Sequence, residues 1–218
     1  MTHLEKELQL LRADTTEMWQ LVISQLDKTF HSLKTFDRDF SREVVSTEKR
    51  VNSMELKIDR DCENIFALYN PVAVDLRFVL ATLKINNNLE RIGDIAEGIS
   101  KFIISEKEPF DEELLINTRL EEMFTGANHV VADVLNAFEN EDTKLARSIF
   151  EKDEMLDEIN AEANKEVAGF IHKHPHKTEQ ALNVLSIIRR LERVGDQSKN
   201  IAEEIIFYVE AKVLKHIK

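Results

Sequence analysis

The hexapeptide LERIGD at residues 89–94 occurs a second time, with one change, as LERVGD at residues 191–196. Polar residues upstream of each copy also occupy matching positions. Asp37, Glu48, Asn52, Glu55 and Asp59 align with Asp142, Asp153, Asp157, Asn160 and Asn164. The match in motif, in polar positions and in helix breaks indicates an internal repeat. The alternative is a chance likeness between two acidic amphipathic helices.

The spacing of apolar residues predicts six long helices, because such residues recur every three to four positions along most of the chain. Pro71, Pro109 and Pro175 fall at three of the breaks, and proline is tolerated in the first turn of a helix but not inside it. The predicted helices cover residues 3–35, 39–69, 72–104, 110–139, 142–174 and 178–215. Three helices per copy predict an all-α fold of two tandem antiparallel three-helix bundles, residues 1–107 and 108–218, related by a pseudo-two-fold internal repeat.

Composition excludes several classes of protein. The 218 residues include 29 basic and 41 acidic side chains, giving a net charge of −12, which argues against binding to nucleic acid or to an anionic membrane. Five glycines and three prolines are too few for a turn-rich β-sandwich. The single cysteine, Cys62, excludes an internal disulfide and a multi-cysteine metal site. Residues 1–12 lack the apolar run of a signal peptide, and no stretch of about 18 uncharged residues occurs, so we expect a cytoplasmic protein without a membrane span.

Acidic residues gather on one face of each motif helix. An α-helix turns by about 100° per residue, so Glu90 and Asp94 share a face opposite the apolar positions. Glu192 and Asp196 share the matching face in the second copy, where Lys199 lies in line with them. The helix before each motif carries an oxygen-rich stripe with the spacing i, i+4, i+7, i+11. The two stripes are Glu48, Asn52, Glu55 and Asp59, and Asp153, Asp157, Asn160 and Asn164.

If these stripes meet the motif acids between neighbouring helices, they form a site for a cation. Like charges at i,i+4 destabilise a helix by about 0.2–0.5 kcal/mol per pair, and carboxylate and amide oxygens suit hard cations such as Mg²⁺ or Mn²⁺, and also iron. Gly93 and Gly195 cost their helices about 1 kcal/mol each relative to alanine, but they let a cation or a neighbouring helix approach. The alternative is that the stripes are solvated faces, with Arg91 and Arg193 balancing part of the charge.

Other features have weaker functional interpretations. His172, His174 and His176 can bind a transition metal but are more typical of a solvated loop. Asp75, shortly after Pro71, either interacts with the positive end of its helix or leans toward the first stripe. The absence of an ExxH motif argues against a ferritin-like di-iron enzyme.

The two motifs, together with VNSME at 51–55, PVAVDLR at 71–77 and IIFYV at 205–209, resemble the PhoU family of bacterial phosphate-signalling regulators over nearly the whole chain. The resemblance implies two three-helix bundles with multinuclear metal sites that hold iron, zinc, Mn²⁺ or Mg²⁺. It also implies a non-enzymatic protein, commonly a homodimer. Such proteins restrain phosphate uptake by a Pst-type ABC transporter and couple that transporter to a sensor histidine kinase.

Transferred residue by residue, the resemblance implies metal ligands in both copies. They are the motif residues Glu90, Asp94, Glu192 and Asp196, with Glu48, Asn52, Asp75, Asp153 and Asp157 as their partners. We therefore expect a metal-binding adaptor that negatively regulates phosphate uptake and phosphate-starvation signalling. The alternatives are a metal-free helical scaffold and a carboxylate-bridged metalloenzyme, such as an oxidase or a phosphohydrolase.

Overall fold

Helices account for nearly all of the chain in the computed structural model, which describes residues 2–214. In the first half, α1 spans His3–Thr35, α2 spans Arg38–Tyr69 and α3 spans Ala73–Ser105. In the second half, α4 spans Glu112–Asn117, α5 spans Leu120–Asn140, α6 spans Thr143–Lys173 and α7 spans Thr178–Glu210. A 3-10 turn at Pro175–Lys177 precedes α7. The predicted domains include residues 1 and 215–218, and the predicted last helix includes residue 215. These residues lie outside the described part of the chain.

Two aspartates at matching positions of the repeat start matching helices. Asp37 caps α2, where its Oδ1 accepts a hydrogen bond of 3.0 Å from the backbone N–H of Asp39. Asp142 caps α6 in the same way and accepts from the N–H groups of Lys144 and Leu145 at 2.9 and 3.0 Å. Such side-chain caps satisfy amide groups that have no partner within the helix. The repeat therefore specifies helix starts as well as the motif.

The predicted helix over 110–139 is wrong as a continuous helix, because the chain breaks it between α4 and α5. The buried Thr118 side chain donates a 2.7 Å hydrogen bond from Oγ1 to the backbone oxygen of Leu114. Arg119 then adopts a left-handed conformation with φ of 52°, which a continuing α-helix does not allow. The last helix also ends earlier than predicted, at Glu210, where Ala211 has φ of 57°.

The two halves pack through an antiparallel pair formed by α3 and α7. Each half is a bundle, α1–α2–α3 in the first and α5–α6–α7 in the second, and α1 also contacts α5. Lys84 pairs with Glu204 at 3.0 Å near one end of the central pair, whereas Arg190 lies 5.2 Å from the Phe102 ring near the other. Asn200 donates to Asn88 between them. The two LERxGD motifs therefore lie side by side at the middle of the molecule, and the predicted all-α, two-bundle architecture is confirmed.

Aromatic residues fill the contact between α1 and α5. Trp19 is fully buried, and its Nε1 donates a 3.2 Å hydrogen bond to the backbone oxygen of Val131. The Trp19 ring lies 5.5 Å from the ring of Phe138, centroid to centroid.

Cys62 is also buried among apolar residues of its own half. None of the helices within residues 2–214 combines the length and the hydropathy that a membrane-spanning helix requires.

Candidate functional site

The first group of converging acids, called the first cradle, consists of Glu48 and Glu55 from α2 and Glu90 and Asp94 from α3. Glu48 is only 4% exposed. Its Oε2 accepts a 2.8 Å hydrogen bond from Nε2 of Gln25 on α1, while its Oε1 is buried without a hydrogen-bond partner. A Cβ atom built on Gly93 would lie 3.2 Å from Oε2 of Glu48. The missing side chain at Gly93 therefore lets the Glu48 carboxylate fit against α3.

The four acids of the first cradle lie close enough for their charges to interact. Burial, and then the charges of Asp94, Glu55 and Glu48, raise the pKa of Glu90 to about 7. Burial also raises the pKa of Glu48, although the Gln25 hydrogen bond opposes this, and the nearby charge of Asp94 raises it further. The pKa of Glu55 is raised by burial and then by Asp59 and Asp94. The expected meeting of α2 and α3 carboxylates is therefore present in the first half.

The second cradle consists of Asp153 and Asp157 from α6 and Glu192 and Asp196 from α7. Burial raises the pKa of Glu192, and the charges of Asp196, Asp157 and Asp153 raise it further. Asp153 is 2% exposed and its Oδ1 has no hydrogen-bond partner. A Cβ atom on Gly195 would overlap this Oδ1 and would lie 2.8 Å from Cδ1 of Leu156. The packing of a buried carboxylate against a motif glycine is thus repeated in the second half.

A lysine lies inside the second cradle. The Lys199 Nζ forms an ion pair with Oδ2 of Asp153 and lies 2.9 Å from Oδ1 of Asp196. Burial lowers the pKa of Lys199, but the contacts with Asp153 and Asp196 outweigh it and hold the pKa above its usual value. The second cradle therefore already contains a positive charge supplied by the chain.

Two of the nine predicted ligands stand apart from the cradles. Asp75 lies in the first turn of α3, about 22 Å along the helix from Glu90, and lines a groove with Arg12, Glu141 and Tyr208. This position agrees with the interpretation that Asp75 interacts with the positive end of its helix. Asn52 lies on α2 one turn after Glu48, but its side chain is exposed.

Three residues of these sites are not among the nine predicted ligands. Gln25 lies on α1, outside both repeated stripes, and only its polarity within an apolar helix face sets it apart. Glu55 belongs to the first stripe, and its charge raises the pKa of Glu90. Lys199 lies in line with the second set of acids, but helical spacing does not show that it contacts Asp153.

The donor chemistry of the first cradle suits a hard cation, although its side chains are not already arranged around one. Within residues 2–214, no three histidine, cysteine, aspartate or glutamate side chains form a ready coordination sphere. The buried Oε1 of Glu48 nevertheless lacks any hydrogen-bond donor, and a buried carboxylate oxygen without a partner is costly. A cation would supply that partner and reduce the repulsion among four neighbouring acids. The first cradle therefore has the donor types that a hard cation prefers, without a formed coordination sphere among the described residues.

Comparison with known proteins identifies the family of the two repeated units. The model of the PhoU domain matches residues 15–103 and again residues 120–205. The chain belongs to the PhoU family. A phosphate-specific transport system accessory protein, PhoU homolog 1 of Thermotoga maritima, is 34% identical over 98% of this chain and 91% of its own length. The accessory protein PhoU of Escherichia coli is 30% identical over 97% of this chain and 87% of its own length.

Solved PhoU structures share the whole architecture. The crystal structure of PhoU from Pseudomonas aeruginosa superposes with a TM-score of 0.89 at 29% identity, covering 95% of this chain and 99% of that one. The regulatory protein PhoU from Streptococcus pneumoniae superposes with a TM-score of 0.87 at 28% identity, covering 98% of this chain and 100% of that one. Both tandem bundles are therefore common to the PhoU proteins and this chain.

Replacement of the second motif glycine tests the close approach of Asp153. Gly195→Ala places a methyl group against Asp153 and Leu156, and overpacking of this kind costs about 1–3 kcal/mol. Gly169→Ala is the matched control, because a Cβ there meets nothing within 4 Å and alanine stabilises an exposed helix by about 0.5–1 kcal/mol. Urea denaturation should show opposite changes in the free energy of unfolding. Equal stabilisation by both substitutions would contradict the packing described here.

The raised pKa of Glu90 predicts a pH dependence of stability in metal-free protein. The native state binds this proton more tightly than the unfolded chain, so the stabilisation is complete below the ordinary pKa of 4.5 and is lost as pH rises through about 7. Glu90→Gln should therefore raise the melting temperature at about pH 8 more than at about pH 5. Glu151→Gln, on an exposed residue of α6, is the control. A Glu90→Gln effect that does not change with pH would refute the assignment.

Proposed function

We propose that this protein is a metal-binding regulator of phosphate uptake and phosphate-starvation signalling. It acts in the cytoplasm on a Pst-type phosphate ABC transporter and a sensor histidine kinase, and it works as a homodimer. The names of its relatives, accessory proteins of the phosphate-specific transport system, support the phosphate role. The observation that carries the metal role is Glu48, a buried carboxylate with an unpartnered oxygen beside other acids.

The residues of the first cradle have distinct roles in this proposal. Gln25 holds one oxygen of Glu48 at 2.8 Å, which leaves the other oxygen for the cation. Glu90 and Asp94 approach from α3, and Glu55 approaches from α2. A bound iron, zinc, Mn²⁺ or Mg²⁺ ion would supply positive charge that offsets the repulsion among these acids. Occupancy would then stabilise the contact between α2 and α3.

Regulation through this site works by changing the charge that the protein presents to partners. Asp94 is exposed whereas Glu48 is buried, so neutralisation of the cradle alters the electrostatic potential of an accessible surface. Charge complementarity at a surface governs encounter rate and partner choice. The carboxylates in this mechanism hold a cation and do not act on a substrate, so the role is regulatory rather than catalytic.

The second candidate is a metal-free helical scaffold, which the contact of Lys199 with Asp153 and Asp196 favours in the second half. The two candidate functions predict different effects of added metal on the melting temperature of the protein. A ligand that binds the native state must stabilise it. A melting temperature unmoved by chelator and by added Mn²⁺, Mg²⁺, Zn²⁺ or iron would favour the scaffold.

The proposed function predicts linked losses of metal and regulation. Asp94→Ala combined with Asp196→Ala removes one acid from each cradle, so elemental analysis should find less metal per chain than in the wild-type protein. A strain without the gene should accumulate more phosphate, and the wild-type gene should restore control while the double variant should not. Unchanged metal content refutes the site, and full restoration of control by the double variant refutes its role in regulation.

A further inference from the structure

The two cradles differ in charge at one equivalent position of the repeat. The residue three positions after the motif aspartate is Glu97 in the first copy and Lys199 in the second. One helical turn later the charges are exchanged, because Lys101 follows Glu97 and Glu203 follows Lys199. The repeat therefore preserves an oppositely charged pair at these positions but inverts its order.

In the first half, this order pairs the lysine with Glu97, although Lys101 also lines a groove with Asp94, and its charge opposes the rise in the pKa of Glu48. Lys101 Nζ lies 2.6 Å from Glu97 Oε2, so its ammonium group is engaged one turn beyond the motif. Within residues 2–214, no lysine or arginine forms an ion pair with Glu48, Glu55, Glu90 or Asp94. The neutral amide of Gln25 is the hydrogen-bond partner of Glu48. Basic side chains do border the groove beside Asp94, namely Arg91, Lys101, Arg190 and Arg193. Among residues 2–214, however, none of them is in ion-pair contact with an acid of the first cradle, whereas Lys199 is in such contact with two acids of the second.

In the second half, the inverted order brings the lysine into the cradle. Lys199, on α7, forms an ion pair with the buried Asp153 across the contact with α6. It forms a second ion pair with Asp196 on its own helix. An ammonium group is a compact cation with three donors. It pairs with Oδ2 of the buried Asp153, while Oδ1 lies against Gly195 without a hydrogen-bond partner. A metal ion at the same carboxylates would have to displace it, because two cations repel strongly at such short range.

From this difference we infer that Lys199 is the resident cation of the second cradle, and that a metal ion binds only in the first. The inference rests on the proposed metal binding, but it makes a separate claim about one side chain. The two bundles are therefore unequal in function: the second is held together by the chain's own charge, and the first responds to metal supply.

Substitution of Lys199 tests the inference through bound metal and stability. Lys199→Met keeps the length of the side chain and removes its charge, so Asp153 loses its partner. We expect a lower melting temperature without metal, recovery on addition of Mn²⁺, and more Mn²⁺ bound per chain than in the wild-type protein. Lys152→Met is the matched control. Lys152 lies on α6, and its Nζ pairs with Oδ2 of Asp133 at 2.7 Å instead of with a cradle acid. It should bind the same amount of Mn²⁺ as the wild-type protein.

The reciprocal substitution, Glu97→Lys, imitates the second cradle in the first. We expect it to lower the Mn²⁺ bound per chain, whereas Glu97→Gln should lower it less. Lys199→Gln provides a smaller polar alternative if Lys199→Met does not fold. Equal Mn²⁺ binding by the wild-type protein and the folded Lys199 variant overturns the inference. If the wild-type protein binds no Mn²⁺ but the Lys199 variant does, the proposed metal-dependent function fails while the assignment of Lys199 stands.

Discussion

The fit of a buried carboxylate against a glycine inside the neighbouring helix is the constraint on which both halves depend. Glu48 lies against Gly93, and Asp153 lies against Gly195, so α2 meets α3 and α6 meets α7 at the same motif position. Burying a charged group is costly unless a donor or a cation compensates it. Each half therefore needs a partner for its carboxylate, and the identity of that partner decides what the half can do.

The repeated architecture brings these two contacts to the centre of the molecule. The antiparallel packing of α3 on α7 sets the motifs side by side, and the buried Trp19 links α1 to α5 nearby. The two bundles therefore share a closely packed interface formed by α3 and α7.

Periodicity and proline positions were sufficient to predict the long helices and the two bundles, because those features follow from local chemistry. The break at Thr118 and Arg119 was not predictable, since it depends on one hydroxyl–carbonyl bond and one left-handed residue. Helical spacing predicts that Glu90 and Asp94 share one face and that Glu48 lies on an oxygen-rich stripe, but their meeting also requires that α2 and α3 be neighbours. The position of Asp75, the contribution of Gln25 and the direction of the Lys199 side chain depend on how helices pack, which spacing along one helix does not specify.

If acids from α2 and α3 hold a cation beside Gly93, crystals of the protein grown with Mn²⁺ should reveal it by anomalous scattering. We expect an anomalous peak bounded by Glu48, Glu90 and Asp94, with the α2 and α3 backbones in the positions described here. Mn²⁺ bound only among His172, His174 and His176, or a first cradle without a peak at saturating Mn²⁺, would contradict it.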